Sequence, residues 1–231
     1  MNSAPRFDPF PPQSQRDILS QSARKALRHA ARAEEAGAAP ISGSIDILRD
    51  AGLMLEDGAT APLRTAHALM QIGAANLSVG RLWEGHVNAL RLIRLYGSVA
   101  QAERAKQVIR QGGLLGVWGA DAGNPARFEK GVLKGEKIFA SGLGTVTHAL
   151  VSLNSGPEVQ LALIDVTDPA RGDASQWDML GMRATASGSY DFSGLPLEDD
   201  ALIGAPGDYL KEPHFVGGVW QIAALQAGAA A

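Results

Sequence analysis

The chain has 231 residues, a formal net charge of -3 and no cysteine. That length supports a real core in one large domain or two small ones. The balanced charge, with no run of basic residues, argues against a nucleic-acid partner, and the missing cysteine excludes disulfides, thiolate nucleophiles and zinc ribbons. The first twelve residues lack the apolar stretch of a signal peptide. The most apolar segment, 215–231, is shorter than the about 20 residues that a bilayer span needs. A cytoplasmic protein with no membrane span is the expectation.

In chain order, residues 14–36 read as one long helix. Ile18, Leu19, Ala23, Ala26, Leu27, Ala30 and Ala33 form its apolar stripe, and Gly37 stands where a left-handed cap belongs. A short helix over 44–51 ends at Gly52, and Pro62 opens a third at its first turn, running to Ile72. A helix over 76–96 follows, with Leu82, Ala89, Leu92, Ile93 and Tyr96 as its inner face. Gly80 and Gly85 weaken it by about 1 kcal/mol each. Ser98 and Gln101 have the spacing of a capping box, which opens a helix to Arg110. Helices joined by short loops predict a bundle.

After residue 112 the pattern changes to short apolar runs between glycine turns. Strands are expected at 114–118, 128–133, 136–140, 148–153, 159–166 and 189–192, with Lys134-Gly135 as the turn of a hairpin. That spacing predicts an antiparallel sandwich or barrel. Residues 215–231 return to a helix that is apolar on nearly every side, which requires burial all round. The expectation is therefore an α+β multidomain chain. A helical domain over 1–112 leads to a β domain over 113–208, and 209–231 begin a truncated C-terminal helical domain. An uncovered apolar helix further predicts a poorly soluble or oligomeric chain.

Three segments carry a resemblance. The first is Trp177-Asp-Met-Leu-Gly-Met-Arg-Ala-Thr-Ala-Ser-Gly-Ser-Tyr-Asp-Phe192, with a Gly-Met-Arg-x-Thr-x-Ser core, followed by Leu195-Pro196 and Ile203-Gly204. The second is Gly131-Val-Leu-Lys-Gly-Glu-Lys-Ile-Phe-Ala-Ser-Gly142. The third, more degraded, is Gly116-Val-Trp-Gly-Ala-Asp-Ala-Gly-Asn-Pro125. Together they resemble the acyl-CoA dehydrogenase superfamily. The resemblance implies a flavoprotein oxidoreductase with FAD, or FMN in some branches, held between the β domain and a C-terminal helical domain, usually in a homo- or hetero-oligomer. It implies dehydrogenation of an acyl-CoA thioester with hydride transfer to FAD and on to an electron acceptor, the flanking geometry that such a transfer needs. It is similar also to the branch of dibenzothiophene monooxygenase, which uses reduced FMN and oxygen and dispenses with CoA. A third reading is a non-catalytic subunit that pairs with a homologue.

By the same resemblance, Val117 and Trp118 fall at the isoalloxazine edge, Gly123 and Asn124 near the pyrophosphate, and Phe139 and Ser141 at the aromatic and hydroxyl residues that pack and hydrogen-bond the flavin. Trp118-Gly119 replaces the family's threonine-glutamate pair, and Asn124-Pro125 its serine-aspartate pair. No residue here takes the place of the catalytic glutamate. Arg183 invites a role in anion binding, but it reads more readily as a buried or half-buried arginine tying strands to a carboxylate. The histidines His29, His67, His86, His148 and His214 lack metal-ligand spacing. Gly142-Leu-Gly144 is no dinucleotide loop, since no helix pattern follows, and Ser22 with Lys25 lacks the companion motifs of acylating enzymes.

Overall fold

The computed structural model describes residues 17–121, 123–155 and 158–231. Helix α1 spans Gln21–Glu35; the Ser20 side chain accepts from the Ala23 amide and so starts the helix later than the apolar stripe alone predicts. The expected first turns at 14–16 lie outside the described residues. Leu19 is still buried, because the Ile18 and Leu19 amides donate to Gln71 Oε1. At the other end Gly37 has φ +70° and the Ala38 amide donates to Ala33 O at 2.8 Å, the expected left-handed cap.

Helix α2 covers Ser42–Asp50 and α3 Pro62–Gly73, with proline in the first turn. Helix α4, Leu77–Tyr96, is capped by Asn76. Helix α5, Val99–Arg110, carries both halves of the capping box, Ser98 to the Gln101 amide and Gln101 back to the Ser98 amide. Arg49 of α2 donates to the carbonyls of Ile109 and Gly112, satisfying the far end of α5. Helix α4 runs through the middle of the helical layer and is buried well beyond its apolar face: Ser78, Glu84, His86 and Arg91 are buried with Leu82, Trp83, Val87 and Ile93.

The strands are β1 Leu115–Trp118, β2 Arg127–Glu129, β3 Val132–Lys134, β4 Glu136–Ala140, β5 His148–Ser155, β6 Glu158–Asp165, β7 Gly172–Asp173, β8 Gly188–Asp191 and β9 Leu202–Ile203. They form a six-stranded sheet in the order β3-β2-β5-β6-β9, with β1 also on β5, and a three-stranded sheet β4-β8-β7. Among the described residues there is no closed barrel. The larger sheet is mixed, not antiparallel throughout, because β1 and β2 both pair parallel with β5.

The expected hairpin is displaced. The turn lies at Lys130-Gly131, with φ of +53° and +82°, and it joins β2 to β3. Lys134-Gly135 instead carries the chain from the larger sheet to the smaller. Gly135 has φ +83°, and a Cβ there would stand 2.3 Å from Pro125 O, so no other residue makes this crossing without moving the backbone. Between the sheets Trp118, Tyr190 and Phe192 stack with ring centroids 5.0 to 6.5 Å apart.

The last segment opens with a 3-10 turn, Val216–Gly218, and continues as α6, Val219–Ala230. It is not buried on every side. One face, Gln221, Leu225 and Gly228, packs on α3 and α4. Phe215, Val216, Val219 and Ile222 remain 47, 56, 60 and 38% exposed. Among the described residues no helix is long and apolar enough to cross a membrane.

Candidate functional site

The two longer sequence motifs, far apart in the chain, meet at the end of β4. There the Gly142 amide donates to Thr185 O at 2.6 Å and the Leu143 amide to Ala186 O at 3.3 Å. Three hydroxyls line up beside this junction. Ser187 Oγ donates to Ser141 Oγ at 2.8 Å and lies 2.9 Å from Thr185 Oγ1, which donates to Met182 O at 2.8 Å. Ser141 Oγ accepts a hydrogen bond in this row, so its own hydroxyl hydrogen remains available to a further acceptor.

The loop that brings Ser187 here is strained. Met182 and Ala186 have φ of +61° and +41°, conformations that L side chains adopt at a cost of about 1–3 kcal/mol each. Helix α1 holds it in place. Glu35 accepts the Arg183 amide at 2.8 Å with one carboxylate oxygen and the Ser78 hydroxyl of α4 with the other. Glu34 beside it accepts Ser44 Oγ at 2.6 Å and Asn76 Nδ2 at 2.7 Å, tying α1 to α2 and to the cap of α4. The Arg183 side chain does pair with a carboxylate, Asp178, but both are exposed and lie in one loop, so it is neither buried nor tying strands as expected.

Phe139 precedes this junction. It sits where the register of β4 against β8 shifts, with φ +52° and 62% of its surface exposed. Strain and an exposed aromatic coincide at this one residue, which packing alone does not explain. Val117, Trp118 and Ser141 line one narrow cleft together with Arg81, Leu82 and Gly85 of α4, Gly116 and Val146. The Trp118 ring itself faces the inter-sheet core. Its residue is 2% exposed and Nε1 donates to Ser141 O at 3.1 Å, so this indole supports the backbone of Ser141.

Gly123 and Asn124 lie at the opposite end of β4. The segment after β1 is laced along that strand: Ile138 donates to Ala120 O at 3.0 Å and Glu136 to Asn124 O at 2.9 Å. A Cβ at Gly123 would meet nothing within 4 Å. Asn124 Oδ1 accepts from Arg127 at 3.0 Å. Glu136 and Ser141 are five positions apart, so the two groups stand at most about 17 Å from each other along the strand.

Beneath the segment Lys137 is fully buried. Its amine donates to Asp121 Oδ1 at 2.5 Å, Ser152 Oγ at 3.0 Å and Gly119 O at 3.4 Å, which clamps the segment onto both sheets. Burial lowers the pKa of this amine, and the Asp121 carboxylate opposes that.

The polar side of α4 was not among the site residues expected from the sequence. Arg81, Glu84, Asn88 and Arg91 lie within about 80° of one another at 3.6 residues per turn. Arg81 Nη1 donates to Glu84 Oε2 at 2.6 Å. Glu84 is 3% exposed, and burial pushes its pKa up against the pull of Arg81. Four polar residues at helical spacing inside an apolar helix were the available signal.

No family model matches the chain. Among solved structures, glutaryl-CoA dehydrogenase from Mycobacterium smegmatis superposes with a TM-score of 0.78 over 94% of this chain and 62% of its own, at 16% identity. FMN-bound TdsC from Paenibacillus sp. A11-2 superposes with a TM-score of 0.69 over 86% of this chain and 55% of its own, at 26% identity. The chain has the acyl-CoA dehydrogenase superfamily fold. The chain is also 28% identical over 160 residues to dibenzothiophene monooxygenase of Rhodococcus erythropolis, an alignment covering 61% of this chain and 38% of that protein. The chain thus matches well under half the length of that relative.

Proposed function

We propose that the chain is the flavin-holding part of a flavin-dependent oxidoreductase, and that its reaction is a monooxygenation with reduced FMN and oxygen. The observation that carries this is the junction of Ser141, Ser187 and Thr185 beside the exposed Phe139, in a chain whose curated relatives are dibenzothiophene monooxygenases. The residues present suit a flavin. Ser141 offers a free hydroxyl donor and Val117 a backbone edge to the polar rim of the ring, and Phe139 offers an uncovered aromatic face. Gly123 leaves the other end of the strand open for a phosphate-bearing chain, and Asn124 stands beside it.

A bound reduced flavin supplies the electrons that activate dioxygen. The chain's own residues do the rest. Ser141 fixes the ring edge, Trp118 keeps Ser141 in register, and the inter-sheet aromatic cluster keeps water from behind. Arg81, ion-paired with Glu84, presents its remaining guanidinium N–H groups at the cleft as hydrogen-bond donors.

Titration of the chain with FMN and FAD, read by quenching of flavin fluorescence, tests the proposal. FMN binds, and Ser141→Ala weakens it about fivefold, the worth of roughly one hydrogen bond. Flavin binding that is insensitive to Ser141→Ala and Phe139→Ala would remove the site. Preference for FAD, with bleaching of the bound flavin by an acyl-CoA without oxygen, would replace oxygenation by thioester dehydrogenation.

A further inference from the structure

The segment between α2 and α3, residues 51–61, is fastened to α4 at two places. Near its start the Leu53 and Met54 carbonyls accept Trp83 Nε1 at 3.2 Å and His86 Nε2 at 2.8 Å. Farther on, Arg94 Nη1 donates to Asp57 Oδ2 and to Thr60 Oγ1, both at 2.8 Å. Asp57 Oδ1 accepts the Ala59 and Thr60 amides at 2.9 and 2.8 Å, which fixes the turn of the segment. His86 and Arg94 stand about 12 Å apart along α4. The segment is thus a strap, held to the helix at both points.

Between these anchors the strap does not close on the helix. A cavity of about 260 Å³ lies there, with the buried Leu90 and Ile93 of α4 as its floor and Ala102 of α5 as a wall. Leu55, on the strap, also lines it and keeps 51% of its surface exposed. Side chains around an unfilled space lose the dispersion contacts that a close-packed interior supplies, and an apolar occupant restores them. The volume falls just below the about 300 Å³ at which pockets for drug-sized ligands begin, so the occupant is a small molecule.

The rim carries charge. Arg94 and Lys106 line the cavity together with Asp57. Lys106 Nζ pairs with Glu103 at 2.6 Å, and Glu103 also reaches Arg110 at 3.9 Å. Among the described residues Arg94, Lys106 and Arg110 thus share two carboxylates, Asp57 and Glu103, which leaves one positive charge over. Lys106 has donors to spare beyond its bond to Glu103, and so has the Arg94 fork beyond Nη1. Both side chains are half-exposed, so an anion reaches them from solvent.

We infer that this cavity is a binding site for a small amphipathic carboxylate, its hydrocarbon on Leu90 and Ile93 and its charge at Lys106 and Arg94. A single negative charge matches the single positive one left at the rim. The cavity shares no residue with the cleft of Val117 and Ser141, and the inference does not need the flavin reading.

Titration of the whole chain with sodium hexanoate, followed by ligand-observed NMR, tests the site, with sodium acetate and hexanol as controls at equal ionic strength. Hexanoate binds saturably with a Kd on the order of 1 mM, as suits so few non-hydrogen atoms. Acetate, which has little hydrocarbon to bury, and hexanol, which has no charge, bind about fivefold more weakly or worse. Ala102→Leu fills the cavity from α5 and weakens hexanoate about tenfold or more. Its unfolding midpoint is unchanged or higher, since leucine keeps the helix and adds apolar contact. Lys106→Gln weakens hexanoate about fivefold and leaves hexanol unchanged. A wild type without saturable hexanoate binding, or a folded variant of either kind that binds hexanoate in full, overturns the proposal. So does hexanol that binds as tightly as hexanoate. Should Ala102→Leu not fold, the hexanoate and hexanol titrations of Lys106→Gln decide.

Discussion

His86 shows how a titratable side chain serves as a structural tie. It is fully buried on α4, accepts the Leu115 amide of β1 at its Nδ1, and bonds Met54 O through Nε2 at 2.8 Å. One imidazole thus joins the helical layer to the first strand of the site, and the neutral form makes both bonds, donor on one nitrogen and acceptor on the other. Burial lowers its pKa from 6.5 to about 4; the Met54 bond opposes this and Arg49 adds to it. The folded state therefore resists protonation, so the contribution is complete above pH 6.5 and is lost as pH falls toward 4. Urea unfolding across that range loses about 3 kcal/mol. His86→Leu abolishes this pH dependence, at the cost of an unmet Leu115 amide.

At the scale of elements, α6 is seated by absence of side chains. A Cβ on Gly228 would lie 2.0 Å from Met70 O of α3, one on Gly73 2.3 Å from Leu225 O, and one on Gly80 2.4 Å from Leu225 Cδ1. Helix propensity alone counts Gly80 as a defect; packing makes it the place where α6 approaches α4. Gly228→Ala forces the helices apart and costs roughly 2 kcal/mol or more, as overpacking does. Gly43→Ala, in α2 with nothing within 4 Å, is expected to stabilise by about 0.5–1 kcal/mol. Chemical denaturation of the two variants checks both signs. At the displaced hairpin, Lys130→Asn suits the left-handed φ better than lysine and raises the unfolding midpoint modestly.

At the scale of the whole molecule, the exposed Phe215, Val216, Val219 and Ile222 gather in one short stretch of chain around the start of α6. A contiguous apolar surface of this kind binds hydrophobic dyes and promotes association. The double substitution Val216→Ser and Val219→Ser lowers dye fluorescence severalfold, and it leaves the unfolding midpoint near the wild type because neither side chain is in the core. Equal dye binding by both proteins would place the exposed apolar surface elsewhere.

What the sequence by itself determined is local. Pro62, the Ser98–Gln101 box, Gly37 and Gly52 act on their own turn, so helix ends were legible from spacing, and the motifs around Phe139–Ser141 and Gly181–Ser187 identified the fold. Only the tertiary structure chose between the two Lys-Gly pairs. Both carry the same local signal, and the passage of Gly135 beside Pro125 O settles which one crosses between sheets. It alone brought Ser187 to Ser141 across 46 residues and buried Glu84 and Arg91 of the polar row on α4. It also left Arg91 buried without an ion pair among the described residues. Such contacts depend on which surfaces meet, and a one-dimensional pattern records periodicity along an element without recording its neighbour.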